Sequence, residues 1–172
     1  MDRAGWDAYQ RELLALIEGE DPAEVQSATY GSLDERVRRA GGQVRTRPEP
    51  REWSVLELVG HLADAEVFNA ARYRWVLGHD RPDLMPYDQD LITDGLRHNE
   101  ADVGALLGTF DGLRRGNLEL WSRSTDEQRS RLGLHAERGP LTYDMLFRQA
   151  AGHDRYHVAQ IDRTLDALAA SG

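Results

Sequence analysis

The chain has 172 residues, a formal net charge of −9, no cysteine and no lysine. The absent side chains exclude disulfides, thiolate metal sites, a cysteine nucleophile and lysine Schiff-base chemistry. The negative charge argues against nucleic-acid binding, which draws most of its affinity from neutralising phosphates. At this length we expect one domain, residues 1–172. Without a leader or an apolar run long enough to span a membrane, we expect a cytoplasmic protein.

The first third of the chain predicts one clear helix and a long connection. Apolar residues at helical spacing predict a helix over residues 6–18. Asp21 and Pro22 offer an N-cap and a first-turn proline for a second, short piece. Residues 31–50 contain a Gly-Gly pair and two prolines, and they predict a partly irregular connection in which 32–39 could form a short helix.

The same connection carries the strongest local charge of the chain. Residues 36–51 hold six arginines and a single acid, Glu49. Such a stretch is typical of a solvated or ion-paired surface. The alternative is a rim that attracts an anionic substrate.

The best helix start in the sequence is a capping box, in which Ser54 and Glu57 satisfy each other's backbone amides. It predicts a helix that ends near residue 77, before a glycine. A third helix is predicted over residues 99–122. A second capping-box pattern at residues 125–128 predicts a short helix after it.

A fourth long helix is predicted over residues 142–168, which contain no proline and one glycine. No alternating strand pattern of useful length separates the helical segments. Four amphipathic helices with long connections and short accessory helices predict an all-α fold, a four-helix bundle.

Two histidines of the fourth helix, His153 and His157, lie four residues apart, so both rings point the same way. They share a stripe with Leu146, Ala150 and Ile161, which should face inward. A buried imidazole pair without partners is costly. The pair is therefore interpreted either as hydrogen-bonded core histidines or as metal ligands.

His61 is the remaining histidine well inside a predicted helix, on a face shared with Leu58 and Ala65. Its approach to the pair depends on helix stagger, and a satisfied core histidine is the alternative. Three imidazoles from two helices would leave part of a cation's coordination open, as in catalytic sites. His135, in the loop before the fourth helix, is predicted to be a surface residue.

Three further residues are candidates from their helical positions. Gln160 and Arg72 lie on inner stripes and could orient a substrate, although a buried Gln is often part of a hydrogen-bond network. Asp64, three residues from His61, could accept a hydrogen bond from the N–H of a ligand histidine. A solvated carboxylate is the alternative for Asp64.

Five motifs in order resemble the DinB/YfiT-like superfamily over residues 53–168. They are Trp53-Ser54-Val55, His61-Leu62-Ala63-Asp64-Ala65-Glu66, Pro86-Tyr87-Asp88, Gly139-Pro140-Leu141-Thr142 and the run from His153 to Ile161. The resemblance implies an up-down-down-up bundle and a homodimer. It also implies a divalent metal held by one histidine of the second long helix and two of the fourth, here His61, His153 and His157.

The resemblance also implies a chemistry. Some members are thiol S-transferases that use bacillithiol, mycothiol or glutathione on small electrophiles, in detoxification or stress. The expected cofactor is a divalent metal, Zn, Ni, Fe or Mn, with a low-molecular-weight thiol as co-substrate. The alternatives are a metal-dependent hydrolase and a non-catalytic stress protein that binds a metal or a small ligand.

Overall fold

The structure is a computed structural model that describes residues 3–170. Its α-helices are α1 (Arg3–Ala15), α2 (Pro22–Ala40), α3 (Val55–Gly78), α4 (Gln89–Gly95), α5 (Val103–Ser122), α6 (Asp126–Arg129) and α7 (Tyr143–Ala170). Its strands are β1 (Asp83–Leu84), β2 (Leu132–His135) and β3 (Gly139–Thr142). Within residues 3–170, no helix is both long and apolar enough to cross a membrane.

The predicted four-helix bundle is confirmed, and it consists of α2, α3, α5 and α7. Both α2 and α3 pack against α5 and α7. The helix predicted over residues 6–18 is α1, which ends earlier, at Ala15, and packs on α7 from outside the bundle. The prediction of four long helices was therefore wrong about which segment is the first bundle helix.

That first bundle helix, α2, runs through the region predicted to be irregular. It starts as predicted, because the Asp21 carboxylate accepts a hydrogen bond from the amide of Ala23 at 2.7 Å. It then continues through Gly31 to Ala40. A glycine inside a helix costs about 1 kcal/mol, and the burial of residues such as Leu33 in the bundle core outweighs it. The sequence of α2 alone does not predict this outcome, because the burial comes from contacts with the other helices.

The predicted caps are confirmed at both capping boxes. Ser54 Oγ accepts a hydrogen bond from the Glu57 amide at 3.2 Å, and the Glu57 carboxylate accepts one from the Ser54 amide at 2.8 Å. The predicted box at residues 125–128 opens α6. The third predicted helix starts four residues late, as α5, because Asp102 caps it and residues 98–100 form a separate 3-10 turn.

A small sheet, which the sequence did not predict, joins the loop after α3 to the segment before α7. β1 pairs in parallel with β2, and β2 pairs antiparallel with β3. The strands span two to four residues, too few to show the alternation that identifies a strand in sequence. The sheet fixes the turn between β2 and β3 beside the bundle.

The contact of α1 with α7 depends on a glycine. A Cβ atom on Gly152 would lie 2.1 Å from the carbonyl oxygen of Leu13, a backbone atom that cannot rotate away. Glycine is therefore needed for the two helix backbones to approach this closely. A salt bridge of 2.5 Å between Arg155 and Glu20 lies beside the contact.

A buried ion-pair network links all four bundle helices. Arg114 on α5 donates hydrogen bonds to Glu66 on α3 at 2.9 Å and to Asp154 on α7 at 3.0 Å. It also donates to the carbonyl of Gln26 on α2 at 2.9 Å. Asn117 adds a hydrogen bond to Glu66 at 3.0 Å. All three charged side chains are almost fully buried, so each depends on the others for solvation.

Replacing Arg114 tests this dependence. Arg114→Met leaves Glu66 and Asp154 buried without a cation, and we expect the free energy of unfolding to fall by about 3–5 kcal/mol in urea titrations. The neighbouring Arg115 is exposed and pairs with Asp111 at 2.9 Å. Arg115→Met, the matched control, should change stability by less than about 0.5 kcal/mol. Equal losses in the two variants would contradict the network's role.

Candidate metal centre and cavity

The structure brings together the three histidines singled out in the sequence. The Nε2 atom of His61 on α3 lies 3.0 Å from Nε2 of His153 and 3.1 Å from Nε2 of His157, both on α7. One nitrogen of each ring lies within 4.8 Å of the other two. The helix stagger that the sequence left open therefore allows the three rings to converge.

The position of the rings follows from features that fix α3 and α7. The Ser54 capping box sets the start of α3, less than two turns before His61. Glu66 and Asp154, which share Arg114, lie five residues after His61 and directly after His153. The same ion pairs that lock α3 against α7 therefore set the relative height of the histidine rings.

The three imidazoles are neutral near pH 7. Burial lowers the pKa of His61 and of His153 well below the usual 6.5, and neighbouring histidines lower both further. Burial also lowers the pKa of His157, to about 4. Neutral imidazole is the form that binds metals. The cluster is thus in the metal-binding protonation state without help from a bound cation.

A hydrogen bond fixes the tautomer of one ring. Nδ1 of His157 donates to Oε1 of Gln160 at 2.9 Å, which leaves the Nε2 lone pair directed at the cluster. Gln160, for which a substrate-orienting role stays a prediction, is held by this bond to His157 and is not among the residues that line the cavity beside the cluster. Asp64, predicted to accept such a bond from a ligand histidine, lies 2.5 Å from Nε2 of a different residue, His98.

The donor set fits a divalent transition metal. Zn–N bonds of about 2.1 Å hold neighbouring ligand nitrogens about 3.0–3.4 Å apart. The two Nε2 separations, 3.0 and 3.1 Å, lie in that range. Across the described residues, the cluster contains three histidines and no carboxylate. Three neutral nitrogen ligands suit several divalent metals and do not select one.

A cavity of about 760 Å³ lies beside the cluster. His153 and His157 form part of its wall, and Arg72 lines it as well; the substrate-binding role predicted for Arg72 stays a prediction. Its volume is in the usual range for sites that bind small molecules. A cation held by the cluster would therefore lie beside a space large enough for a small-molecule substrate.

Aromatic side chains form much of the cavity wall. Trp6 and Tyr9 of α1 and Tyr156 of α7 line it together. Tyr87 also lines it and stacks on Phe68, with ring centroids 3.9 Å apart. Burial raises the pKa of Tyr9 to about 12, so its hydroxyl stays protonated and can donate a hydrogen bond.

The prediction that His135 lies at the surface was wrong. Only 4% of it is exposed, and it lines the cavity, because the unpredicted strand β2 carries it inward. Arg138 and Gln149 line the cavity as well and were also missed. For Gln149 a signal existed, since it lies four residues before His153 on the same helical stripe.

The basic stretch at residues 36–51 does not belong to the site. Arg36 pairs with Asp162, and Arg39 pairs with Asp166 at 3.0 Å. Arg47 pairs with a buried carboxylate, that of Glu57. None of the six arginines, all within the described range, lines the cavity. These ion pairs favour the interpretation of the stretch as an ion-paired surface rather than as a rim of this cavity.

The lowered histidine pKa values predict a specific acid sensitivity in protein freed of metal by a chelator. Unfolding returns His157 from a pKa of about 4 to about 6.5, so the unfolded state binds the extra proton below pH 6.5. The free energy of unfolding should therefore fall between about pH 7 and pH 5. His157 should contribute roughly 2 kcal/mol to this loss, and His61 and His153 should add to it. Urea unfolding at several pH values measures this slope.

His157→Gln is the matched variant for that experiment. It removes one titrating group from the cluster, and we expect it to reduce the pH dependence by roughly one proton's contribution. A wild-type stability that stays constant or rises between pH 7 and pH 5 would show that the rings are not held neutral.

Sequence comparisons identify bacterial relatives of this chain. A Bacillus subtilis (strain 168) protein named "Putative metal-dependent hydrolase YfiT" is 24% identical over 153 residues, covering 88% of this chain and 82% of the relative. A "Putative metal-dependent hydrolase" of Geobacillus thermodenitrificans (strain NG80-2) is 25% identical over 157 residues, 91% of this chain and 80% of the relative.

The solved structure of YfiT from Bacillus subtilis, described as having "an unusual four-helix bundle topology", superposes with a TM-score of 0.79. It is 22% identical in sequence, and the match covers 86% of each chain. At that identity the likeness concerns the fold. The family model of the DinB superfamily matches residues 27–161, most of the chain. The chain therefore belongs to the DinB superfamily.

Proposed function

We propose that this chain is a metal-dependent enzyme that holds one divalent cation with His61, His153 and His157. The observation that supports it is the convergence of three neutral imidazoles, two of which line a cavity of about 760 Å³. Closed structural sites surround their metal with four protein ligands, whereas catalytic sites leave a position open. Three ligands beside a cavity match the catalytic arrangement.

Metal content separates this proposal from a bundle that binds a small ligand without metal. Protein purified without a His tag or chelator, and then incubated with Zn, Ni, Fe or Mn, should bind about one metal per chain. His157→Ala should remove this binding, because it deletes a ligand. Elemental analysis after desalting measures both.

His135→Ala is the matched control for metal binding. His135 is buried and lines the same cavity but lies outside the three-histidine cluster, so its loss should leave metal content unchanged. Wild-type protein with less than about 0.2 metal per chain would overturn the proposal. Unchanged metal in His157→Ala would show that the ligands are misassigned.

For the reaction, we propose the transfer of a low-molecular-weight thiol to a small electrophile in detoxification or stress. The family resemblance suggests it, and a chain without cysteine must borrow its thiol. When bound, the cation would lower the thiol pKa and favour the thiolate, the nucleophilic form. The sulfur forms a bond to the electrophilic carbon, the leaving group departs with its electron pair, and the thiol proton passes to solvent.

Hydrolysis is the second candidate, and the names of two relatives favour it. Both are named as putative metal-dependent hydrolases. A cation with an open position can supply activated water as well as a thiolate. The carboxylates of Asp88, Asp90 and Glu137 line the cavity and are candidate proton acceptors.

A paired assay separates the two reactions. Metal-loaded protein is mixed with monochlorobimane and, in turn, bacillithiol, mycothiol or glutathione, and in parallel with p-nitrophenyl esters without thiol. We expect conjugation with at least one thiol, reduced at least about 100-fold in His157→Ala through loss of the metal. Thiol-independent ester cleavage, lost in the same variant, with no conjugation for any thiol, would contradict S-transfer and favour the hydrolase.

A further inference from the structure

Four side chains form a second polar surface of the cavity, apart from the histidine cluster. They are called here the donor wall, and they are Arg72 of α3, His135 of β2, Arg138 of the β2–β3 turn and Gln149 of α7. Arg72, His135 and Gln149 are each at least nine-tenths buried. Three separate parts of the chain therefore contribute hydrogen-bond donors to one enclosed surface.

Several of these donors have no acceptor in the protein. Nη2 of Arg72 donates to the carbonyl of Met85 at 2.5 Å, but its Nε–H is buried and unpaired. The Nε–H of Arg138 and the amide nitrogen of Gln149 are also buried and unpaired. The oxygen of Gln149 faces Nη1 of Arg138 at 3.5 Å, so the Gln149 amide nitrogen is directed elsewhere. Buried donors normally have partners, so three orphans on one wall indicate a missing acceptor.

His135 adds a donor whose tautomer is fixed. Its Nδ1 accepts hydrogen bonds from the backbone amides of Glu137 at 3.3 Å and Arg138 at 3.4 Å. The proton therefore lies on Nε2. Burial, with the nearby charges of Arg138 and Arg72, lowers the pKa of His135 to about 4. At neutral pH the ring is uncharged and offers one N–H.

Across residues 3–170, neither Arg72 nor Arg138 forms a salt bridge with a carboxylate. Burial lowers the pKa of both arginines, and the charge of Arg138 lowers that of Arg72 further. Glu137, which also lines the cavity, lies near enough to Arg138 to raise the pKa of its guanidinium, but it does not pair with it. Asp88 also lines the cavity, but its carboxylate caps α4 through two backbone amides.

Aromatic rings hold the two guanidinium groups in place. Arg138 lies over the ring of Trp6 at 4.1 Å, and Arg72 lies 5.5 Å from the ring centroid of Tyr87. Rings that cover the face of a guanidinium leave its N–H edge available for a ligand. Paired donors on such an edge match the two oxygens of a carboxylate or phosphate.

We propose that the donor wall binds an anionic oxygen group, a carboxylate or a phosphate, on the small molecule that occupies the cavity. Two arginines that form no salt bridge among the described residues, a histidine N–H and an unpaired amide N–H supply the charge and the hydrogen bonds for it. That this molecule is the thiol or its electrophile rests on the proposed function. Anion binding by the donor wall does not rest on the proposed function, because it needs no metal.

The test uses chelator-treated protein, so that the histidine cluster cannot contribute through a metal. Calorimetric titrations compare succinate, inorganic phosphate and succinamide, the uncharged analogue of succinate. We expect succinate or phosphate to bind at least about 10-fold more tightly than succinamide, and the tighter of the two identifies the group. Binding of neither anion above the level of succinamide would overturn the proposal.

Two variants and a control locate the binding. Arg138→Met and Arg72→Met should each weaken anion binding about 10-fold or more, while thermal melting confirms that they fold. Arg148 of α7, exposed and paired with Asp144 at 2.9 Å, gives the control Arg148→Met, which should bind the anion like wild type. Unchanged affinity in both cavity variants would overturn the proposal.

The failure of this proposal can be told apart from failure of the metal proposal. Arg138→Met and Arg72→Met should keep the metal content of wild type, because neither residue belongs to the histidine cluster. Anion binding without any metal uptake would leave the donor wall valid and remove the metal-dependent reaction. Metal uptake without anion binding would overturn the donor-wall proposal and leave the metal-dependent reaction standing.

Discussion

A single buried cation, the guanidinium of Arg114, holds the four bundle helices at fixed relative positions. It donates to side chains on α3 and α7 and to the backbone of α2, and it belongs to α5. Hydrophobic contacts alone tolerate sliding and repacking, whereas hydrogen bonds to a buried charge do not, because any slip leaves a charge unsolvated. The arrangement of the three histidines depends on this constraint. Helices α3 and α7, which carry the histidines, also carry Glu66 and Asp154, the two carboxylates that pair with Arg114.

The cavity brings different kinds of chemistry together. One part of its wall is neutral imidazole, which suits a metal, and the donor wall carries two arginines and is rich in hydrogen-bond donors, while Asp88, Asp90 and Glu137 also line the cavity. A ligand that engages both parts is held at two points, so its reacting atom is oriented as well as bound. The aromatic rings of Tyr87 and Tyr156 also line the cavity and give part of its wall an apolar character.

Local signals in the sequence predicted the features that depend on local structure. The capping box at Ser54 and the four-residue spacing of His153 and His157 involve residues within one or two helical turns, so the pattern already specifies the geometry. The motif resemblance added His61 as their partner. The structure confirmed the bundle and brought the three rings together.

Features that depend on distant contacts could not be predicted in this way. α2 passes through Gly31 because other helices bury its face, and no pattern within residues 22–40 reports that burial. The strand that turns His135 inward pairs with segments up to about fifty residues away and is too short to show alternation. Arg138 reaches the cavity through the same sheet. With Gln149, three of the four donor-wall residues were therefore missed, whereas the three histidines that the structure brings together were all singled out from the sequence.

Gly152 has a consequence for how the site can change during evolution. By allowing α1 to rest against α7, it adds a helix outside the bundle whose Trp6 and Tyr9 form one side of the cavity. Tyr9 packs edge-on against Tyr156 of α7, with ring centroids 6.2 Å apart, but neither Trp6 nor Tyr9 belongs to the histidine cluster. Substitutions on α1 can therefore alter which molecule fits the cavity while the helices that carry the histidine cluster stay the same. This side of the cavity wall and the histidine cluster belong to separate segments, so the α1 side can change on its own.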